Sequence, residues 1–217
     1  MRAAAARELP VVLSAGRRRL LLAAAAMPGL AALPSPARAG AQAEEPLANA
    51  VRTALSAAIA AAAPPKPVFD NLDERLRFLR WLGAASERLK ARKTEPHTRL
   101  EFLETLWYEA TRAGLEPALV LGLIQVESGF RKYAISSAGA RGYMQVMPFW
   151  ARQIGDGDAS RLFHAQTNLR FGCVILRHYL DIERGDLFMA LGRYNGSRGK
   201  PEYPNAVLAN RGRWTAA

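Results

Sequence analysis

The chain has few of the residues that carry covalent or metal chemistry. Among its 217 residues there are one cysteine and three histidines. The lone Cys173 excludes an intrachain disulfide, and its apolar surroundings (FGCVILRHYL) favour a buried core residue over a nucleophile. His97, His164 and His178 do not have the spacing of metal ligands, and no phosphate-binding loop is present. We therefore predict neither a metal nor a cofactor.

The chain also lacks alternating segments and long apolar runs. Without convincing alternation of apolar and polar residues, the expected fold class is all-α, with a short β-turn element around residues 136–142. The apolar run Leu20–Leu33 has 14 residues, whereas a membrane-spanning helix needs about 20. No other stretch is long and apolar enough, so no membrane span is predicted.

The N-terminus has the three parts of a secretory signal. Arg17–Arg19 precede the apolar run Leu20–Leu33, and Ala37-Arg38-Ala39 supplies a small-residue cleavage site. We predict a signal peptide over residues 1–39, cleaved after Ala39, and a periplasmic location. The paired arginines also fit twin-arginine export. The alternative is an N-terminal helix that belongs to the fold.

The balance of charge narrows the class of partner. The formal net charge of +11 falls to +6 without the predicted signal, which leaves 24 basic and 18 acidic residues. These charges are interspersed and form no block of five like charges. A modest positive field suits an anionic polymer such as a cell wall, so no nucleic-acid partner is predicted.

The rest of the chain divides into a tether and one folded domain. Residues 40–67 are predicted to be an Ala/Pro-rich tether, because an alanine-rich stretch ends in Pro64-Pro65-Lys66-Pro67. The domain is predicted over residues 68–217, with residues 131–143 as an aperiodic loop. Apolar residues at helical spacing predict helices around Leu72, Leu76, Leu79 and Leu82, around Leu100, Leu103, Leu106 and Ala110, and over residues 118–126, 165–184 and 186–195.

Glu127 is the one ionisable residue in the apolar run VLGLIQVESGF. Burial raises the pKa of a carboxyl group, and Gly129 predicts that a helix ends just beyond it. A carboxylic acid held protonated is a general acid, but an acid paired with a buried arginine would give the same local pattern. No second acid lies near Glu127 in the sequence, and Asp156 and Asp158 are interpreted as solvated turn residues.

Three ordered motifs help to decide whether Glu127 is a general acid or a structural acid paired with arginine. They are Glu127-Ser128 at the end of the apolar helix, GARGYMQVMP over residues 139–148, and RYNGS over residues 193–197. With them, the chain resembles the lytic transglycosylases of the soluble SLT type over about residues 98–200. The resemblance implies a lysozyme-like helical domain that acts on peptidoglycan.

The resemblance also implies a reaction that needs one carboxyl group. Glu127 matches the family's only essential acid and base. It would cleave the β-1,4 bond between N-acetylmuramic acid and N-acetylglucosamine without water, leaving 1,6-anhydromuramic ends. Ordinary glycosidases instead use two carboxylates, about 5 to 9.5 Å apart.

The resemblance also implies roles for other residues of this chain that match positions of the family motifs. Ser128 matches a serine that helps position the groove, and Met144 matches an apolar contact beneath a sugar ring. Gln145 matches an amide that contacts the sugar. Tyr194 matches the tyrosine whose hydroxyl orients the catalytic carboxyl, and Asn195 is expected to fix the helix end and the groove wall.

Two positions depart from the family pattern. Tyr143 replaces the usual Leu of Gly-Leu-Met-Gln, and Arg193 replaces the usual Ala of Ala-Tyr-Asn. Tyr133 and Tyr143, in the polar loop, are predicted to be groove residues, whereas core packing is favoured for Phe149 and Trp150.

Two other functions stay open at the level of sequence. A hydrolase of the same fold would leave reducing muramic ends. A glycan-binding module would act without turnover, as a scaffold in a cell-wall or secretion-system complex. A pure binder has no chemical need for the set of Glu127, Gln145 and Tyr194, which favours the enzyme.

Overall fold

The computed structural model of the chain describes residues 67–154 and 157–215. The predicted signal peptide and the predicted tether up to residue 66 lie outside the described residues. The described residues form seven α-helices and one 3-10 helix: α1 (Leu72–Leu89), α2 (Pro96–Arg112), α3 (Pro117–Glu127), α4 (Pro148–Ile154), the 3-10 helix (Ala159–Phe163), α5 (Ala165–Ile182), α6 (Leu187–Asn195) and α7 (Glu202–Thr215). This confirms the all-α class. No helix in this part of the chain is long and apolar enough to cross a membrane.

Helix α1 forms where the leucine spacing predicts a helix, but it buries a different face. Leu72, Leu76 and Leu79 are 67%, 42% and 48% exposed. Phe78 contacts Trp107 of α2 edge to face, with ring centroids 5.2 Å apart. The larger apolar area of the aromatic rings explains why this side of α1 faces α2. The buried residues of α1 are Phe78, Leu82, Ala85, Ser86 and Leu89.

Helix α3 is buried along nearly all of its length. Pro117 occupies its first turn, and every residue from 118 to 124 is buried. At Gly122 the helix meets α7: an added Cβ would lie 2.6 Å from the backbone nitrogen of Arg211 and 2.9 Å from the carbonyl oxygen of Val207. The missing side chain therefore lets the two helices approach each other backbone to backbone.

Helix α7 was not predicted from the sequence. Pro201, Pro204 and Gly212 argue against a helix over residues 202–215. Pro204, however, is the third residue of α7, where a backbone N–H has no intrahelical acceptor, so its missing donor costs little. The helix buries Tyr203, Pro204, Val207 and Trp214.

Helices α2 and α5 are joined by a buried ion pair. The Nε of Arg170 donates to Oε2 of Glu109 at 2.9 Å, and Nη2 lies 2.8 Å from Oε1. Burial raises the pKa of Glu109, while the hydrogen bond from Arg170 acts in the opposite direction. Burying either charge alone would cost free energy, and the pairing of the two charges offsets that cost.

Several predictions about the core and the loops are confirmed. Cys173 and Trp150 are fully buried and Phe149 nearly so, as core packing requires. Helices α5 and α6 are separated at Gly185, which has a φ of 88°. The loop after α3 carries two isolated antiparallel bridges, between residues 135 and 141 and between residues 141 and 146.

The close approach at Gly122 predicts a large difference between two glycine substitutions. Gly122→Ala should destabilise the domain by about 2 kcal/mol or more, because backbone atoms of α7 would have to move. Gly83→Ala, on α1, has nothing within 4 Å of the added Cβ, so it should be neutral or stabilise by roughly 0.5–1 kcal/mol through helix propensity. Urea unfolding of both variants measures this; equal stabilities would show that α3 and α7 are not in close contact.

Candidate active site

Glu127 is the last residue of α3, and its side chain is only 7% exposed. The hydroxyl of Tyr203, on α7, donates a hydrogen bond to Oε1 of Glu127 at 2.5 Å. The second oxygen, Oε2, is buried and has no hydrogen-bond partner among the described residues. One oxygen is thus fixed by the protein, and the other is left for a different partner.

The surroundings of Glu127 favour the protonated carboxyl. Burial raises the pKa of Glu127 to about 8, and the hydrogen bond from Tyr203 lowers it by less than burial raises it. The position at the C-terminal end of α3 adds the negative end of the helix dipole, which also disfavours an ionised carboxylate. At neutral pH the group therefore holds its proton. The alternative of an acid paired with a buried arginine is wrong, because Tyr203 is its hydrogen-bond partner.

Tyr203 is a residue of this site that the sequence analysis missed. It is 2% exposed, and burial raises the pKa of its hydroxyl well above the usual value. It therefore stays a hydrogen-bond donor at all working pH values. The resemblance had placed the carboxyl-orienting hydroxyl at Tyr194, but the Tyr194 hydroxyl donates to the carbonyl oxygen of Met144 at 2.8 Å. The only signal for Tyr203 in the sequence is an aromatic residue beside a proline, just after the third motif.

The chain after Glu127 turns sharply. Ser128 ends α3, and its Oγ donates to the carbonyl oxygen of Tyr143 at 2.7 Å. Gly129 and Phe130 both have positive φ, of 58° and 68°. Ser128 therefore ties the end of α3 to the second motif, and its role in positioning the groove stays a prediction.

Tyr143 does not lie on an exposed groove, contrary to prediction. It is 2% exposed, and its ring lies against Phe102 with centroids 4.7 Å apart. Its hydroxyl accepts a hydrogen bond from Nζ of Lys93 at 2.6 Å. Loop polarity suggested exposure, but the tyrosine can be buried because its one polar atom has a partner.

Met144 and Gln145 form the inner part of the second motif. Met144 is fully buried, and its side chain occupies the space that a side chain at Gly172 would need. Gln145 has a φ of 49°, a left-handed conformation that is uncommon for a non-glycine residue. Its amide nitrogen donates to the carbonyl oxygens of Gly142, at 2.9 Å, and Ala134, at 3.2 Å. The amide thus holds the loop in place, and a contact with sugar stays a prediction for both residues.

Asn168, on α5, is a second supporting residue that the sequence analysis missed. Its Oδ1 accepts from the backbone N–H of Met144 at 2.8 Å, and its Nδ2 donates to the carbonyl oxygens of Arg141 and Leu162, each at 2.8 Å. A Cβ at Gly142 would lie 2.4 Å from Nδ2 of Asn168. The glycine of the second motif therefore makes room for this asparagine.

The third motif ends α6. Asn195 is its last residue, and Gly196 follows in the left-handed conformation with a φ of 76°. The Nδ2 of Asn195 donates to Oγ of Ser197 at 3.0 Å, just beyond the helix end, and its role in the groove wall stays a prediction. Arg193, one of the two departures from the family pattern, donates from Nε to Oε1 of Glu183 at 2.8 Å and so links α6 to the end of α5.

Other sequence candidates lie outside this arrangement. Tyr133 is 70% exposed on the loop. Asp158 is exposed and caps the 3-10 helix, where it accepts a hydrogen bond from the backbone N–H of Ser160 at 2.8 Å, whereas Asp156 lies outside the described residues. Within the described residues, no group of three or more His, Cys, Asp or Glu side chains could hold a metal ion.

Comparisons with known proteins agree with the three motifs. Residues 105–209 match the model of the family described as the transglycosylase SLT domain. The chain is 32% identical to the transglycosylase of Enterobacteria phage PRD1 over 118 residues. This aligned region covers 51% of this chain and 43% of that protein. It is 38% identical over 84 residues to membrane-bound lytic murein transglycosylase C of Actinobacillus pleuropneumoniae, covering 35% of this chain and 23% of that protein.

A solved structure is also similar. It is an inactive mutant of lytic transglycosylase Slt from Pseudomonas aeruginosa, with a TM-score of 0.47 and 21% identity, covering 64% of this chain and 29% of that chain. The chain spans less than half the length of each of these proteins. The family match nevertheless confirms the resemblance that the motifs indicated: residues 105–209 are similar to the transglycosylase SLT domain.

Proposed function

We propose that this protein is a lytic transglycosylase that cleaves peptidoglycan between N-acetylmuramic acid and N-acetylglucosamine. The observation that carries the proposal is the state of Glu127: a buried carboxyl group with a pKa of about 8, fixed through one oxygen. Relatives that share the domain are named transglycosylases and murein transglycosylases, which supports the same substrate class.

In the first step Glu127 acts as a general acid. Its Oε1 is held by the hydroxyl of Tyr203, so the proton can leave from Oε2 to the glycosidic oxygen. As the bond between that oxygen and the anomeric carbon breaks, the acetamido oxygen of the muramic residue attacks the anomeric carbon. The positive charge then resides on the resulting oxazoline ring, and Glu127 is left ionised.

In the second step Glu127 acts as a base. Its carboxylate takes the proton of the C6 hydroxyl, and the C6 oxygen attacks the anomeric carbon as the bond to the acetamido oxygen breaks. The product is a 1,6-anhydro ring, no water is consumed, and Glu127 is protonated again. Burial makes the ionised form of Glu127 unstable, which favours its return to the acid.

The proposal needs a single acid because the substrate supplies its own nucleophile. Burial and the hydroxyl of Tyr203 are the influences on the pKa of Glu127 within the described residues, and no second carboxylate is among them.

The setting proposed for this activity is outside the cytoplasm. The arginines, apolar run and cleavage site of residues 1–39 support export to the periplasm. The partner there would be the glycan strands of the wall, with a cell-wall or secretion-system complex as a further proposed association.

Replacing the proposed acid tests the reaction directly. Glu127→Gln should lower the rate of product release from purified sacculi by about 10³-fold or more, because the amide can neither give nor take the proton. Mass spectrometry of the wild-type products should show anhydromuramic ends, which are one water lighter than reducing ends. The exposed acid Glu104 of α2 offers a control, since Glu104→Gln makes the same carboxyl-to-amide exchange on the surface and should leave the rate unchanged.

Each outcome of that experiment has a distinct meaning. Predominantly reducing ends from the wild type would show a hydrolase. Sacculus binding without turnover by the wild type would show a glycan-binding module. Unchanged activity of Glu127→Gln would remove Glu127 from the mechanism.

The pH dependence of kcat/KM should follow the pKa of Glu127. The acid must be protonated before reaction, so the rate should be high below pH 8 and fall through an alkaline limb near a pKa of about 8. The hydrogen bond from Tyr203 lowers that pKa, so Tyr203→Phe should move the limb to higher pH. It should also reduce kcat roughly ten-fold through loss of orientation.

Tyr108→Phe, on α2, is the control for removing a hydroxyl elsewhere, and it should leave the pH profile unchanged. A limb that moves to lower pH in Tyr203→Phe would contradict the role given to Tyr203. A wild-type rate that rises between pH 7 and pH 9 would contradict the role of Glu127 as an acid.

A further inference from the structure

One partly exposed surface beside the site has no part in the two proposed proton transfers. It consists of Lys93, Arg131, Lys132, Tyr133, Arg141 and Phe163, and we refer to it as the basic-aromatic surface. Residues 131–135 line a cleft of about 360 Å³ within it. Tyr133 is 70% exposed and the neighbouring Ile135 is 65% exposed, so both offer apolar area to a ligand.

The aromatic rings of this surface hold its cations in place. Nζ of Lys132 lies 5.3 Å from the ring centroid of Tyr133, and Cζ of Arg141 lies 5.6 Å from that of Phe163. The two rings are themselves in contact, with centroids 5.8 Å apart. Lysine and arginine heads are therefore gathered around one aromatic pair.

The positive charge of this surface is only partly compensated. Burial lowers the pKa of Lys93, and the positive charge of Lys132 lowers it further, so the two ammonium groups repel each other. Nε of Arg141 is buried and has no hydrogen-bond partner among the described residues. Hydrogen bonds from Ser160 lower the pKa of the Asp158 carboxyl, and the charges of Arg161 and Arg141 lower it further. Cations held together in this way attract an anion.

The basic-aromatic surface is connected to the catalytic residue through short links. Nε of Arg131 donates to the carbonyl oxygen of Ser128, the residue next to Glu127, at 2.9 Å. Nζ of Lys93 donates to the hydroxyl of Tyr143, whose carbonyl oxygen accepts from Ser128. A ligand on this surface would thus lie along the chain segment that ends the catalytic helix.

We propose that the basic-aromatic surface binds the carboxylates of the peptide stem that a muramic residue carries. This inference rests on the proposed function. N-acetylated sugars of a stem-bearing strand are uncharged, so the anionic groups of this substrate belong to the stems. Lys132 and Arg141 supply the charge, while the exposed Tyr133 and Ile135 offer apolar area to the aliphatic parts of a stem. Stem binding beside Glu127 would place the adjoining glycosidic bond at the acid.

The test compares two substrates that differ only in charge. Glycan strands with free stem carboxylates are used directly, and a second portion is converted chemically to carboxamides. The wild type should cleave the free-carboxylate strands with a kcat/KM about five-fold higher. Lys132→Gln, and the double variant with Arg141→Gln, should lose this preference and leave cleavage of the amidated strands unchanged. Arg80→Gln, an exposed cation on α1, should behave as the wild type.

A binding measurement separates this proposal from the proposed function. Both variants are also made in the Glu127→Gln background, and sedimentation with each kind of strand is measured. About five-fold weaker binding to free-carboxylate strands alone would support stem recognition even if the wild type showed no turnover. Equal loss on both kinds of strand, or a preference that survives in the double variant, would overturn it.

Discussion

The burial of one carboxyl group at the end of an apolar helix is the constraint on which the site depends. Helix α3 is buried from Ala118 to Ile124, and it delivers Glu127 to a position where water is largely excluded. An ionised carboxylate there loses its solvation, and Tyr203 restores one hydrogen bond only. The proton is therefore kept near neutral pH. The acid catalysis that we propose for Glu127 would follow from the packing of α3 and would not require a charged neighbour.

Tyr203 reaches Glu127 because α3 and α7 approach each other closely. Gly122 removes the side chain that would separate them, and Pro204 allows α7 to start where Tyr203 is needed. A second set of bonds fixes the opposite side of the site: Ser128, Asn168 and Tyr194 all hold backbone atoms of the Tyr143–Met144 segment. Most of the polar side chains near Glu127 thus support the loop, so that the site is built before a substrate arrives.

The sequence predicted the parts of this arrangement that local chemistry determines. Glu127 stood out because a charge is rare in an apolar run, and the breaks at Gly129 and Gly185 follow from backbone conformation. Tyr203 could not be found in the same way, since it lies 76 residues from Glu127 in the sequence. It also lies in the first turn of a helix whose prolines argue against a helix prediction.

Two predictions about which residues are buried were wrong for the same physical reason. Tyr143 was expected on the surface because its loop is polar, and the outward face of α1 was expected inside because it is rich in leucine. In both cases a tertiary partner decided the outcome: Lys93 satisfies the buried hydroxyl of Tyr143, and Trp107 draws Phe78 inward. The polarity and spacing of a segment describe its own pattern, whereas burial depends on residues that are distant in sequence.

The measurement that bears most directly on the central claim is the titration of Glu127 itself. Carboxyl ¹³C chemical shifts of glutamate-labelled protein can be followed against pH, with the signal of Glu127 assigned by its absence in Glu127→Gln. A buried acid that is ready to donate its proton should titrate with a pKa of about 8. A pKa below about 5, close to that of an ordinary solvated glutamate, would show an ionised carboxylate at neutral pH and contradict general acid catalysis by this residue.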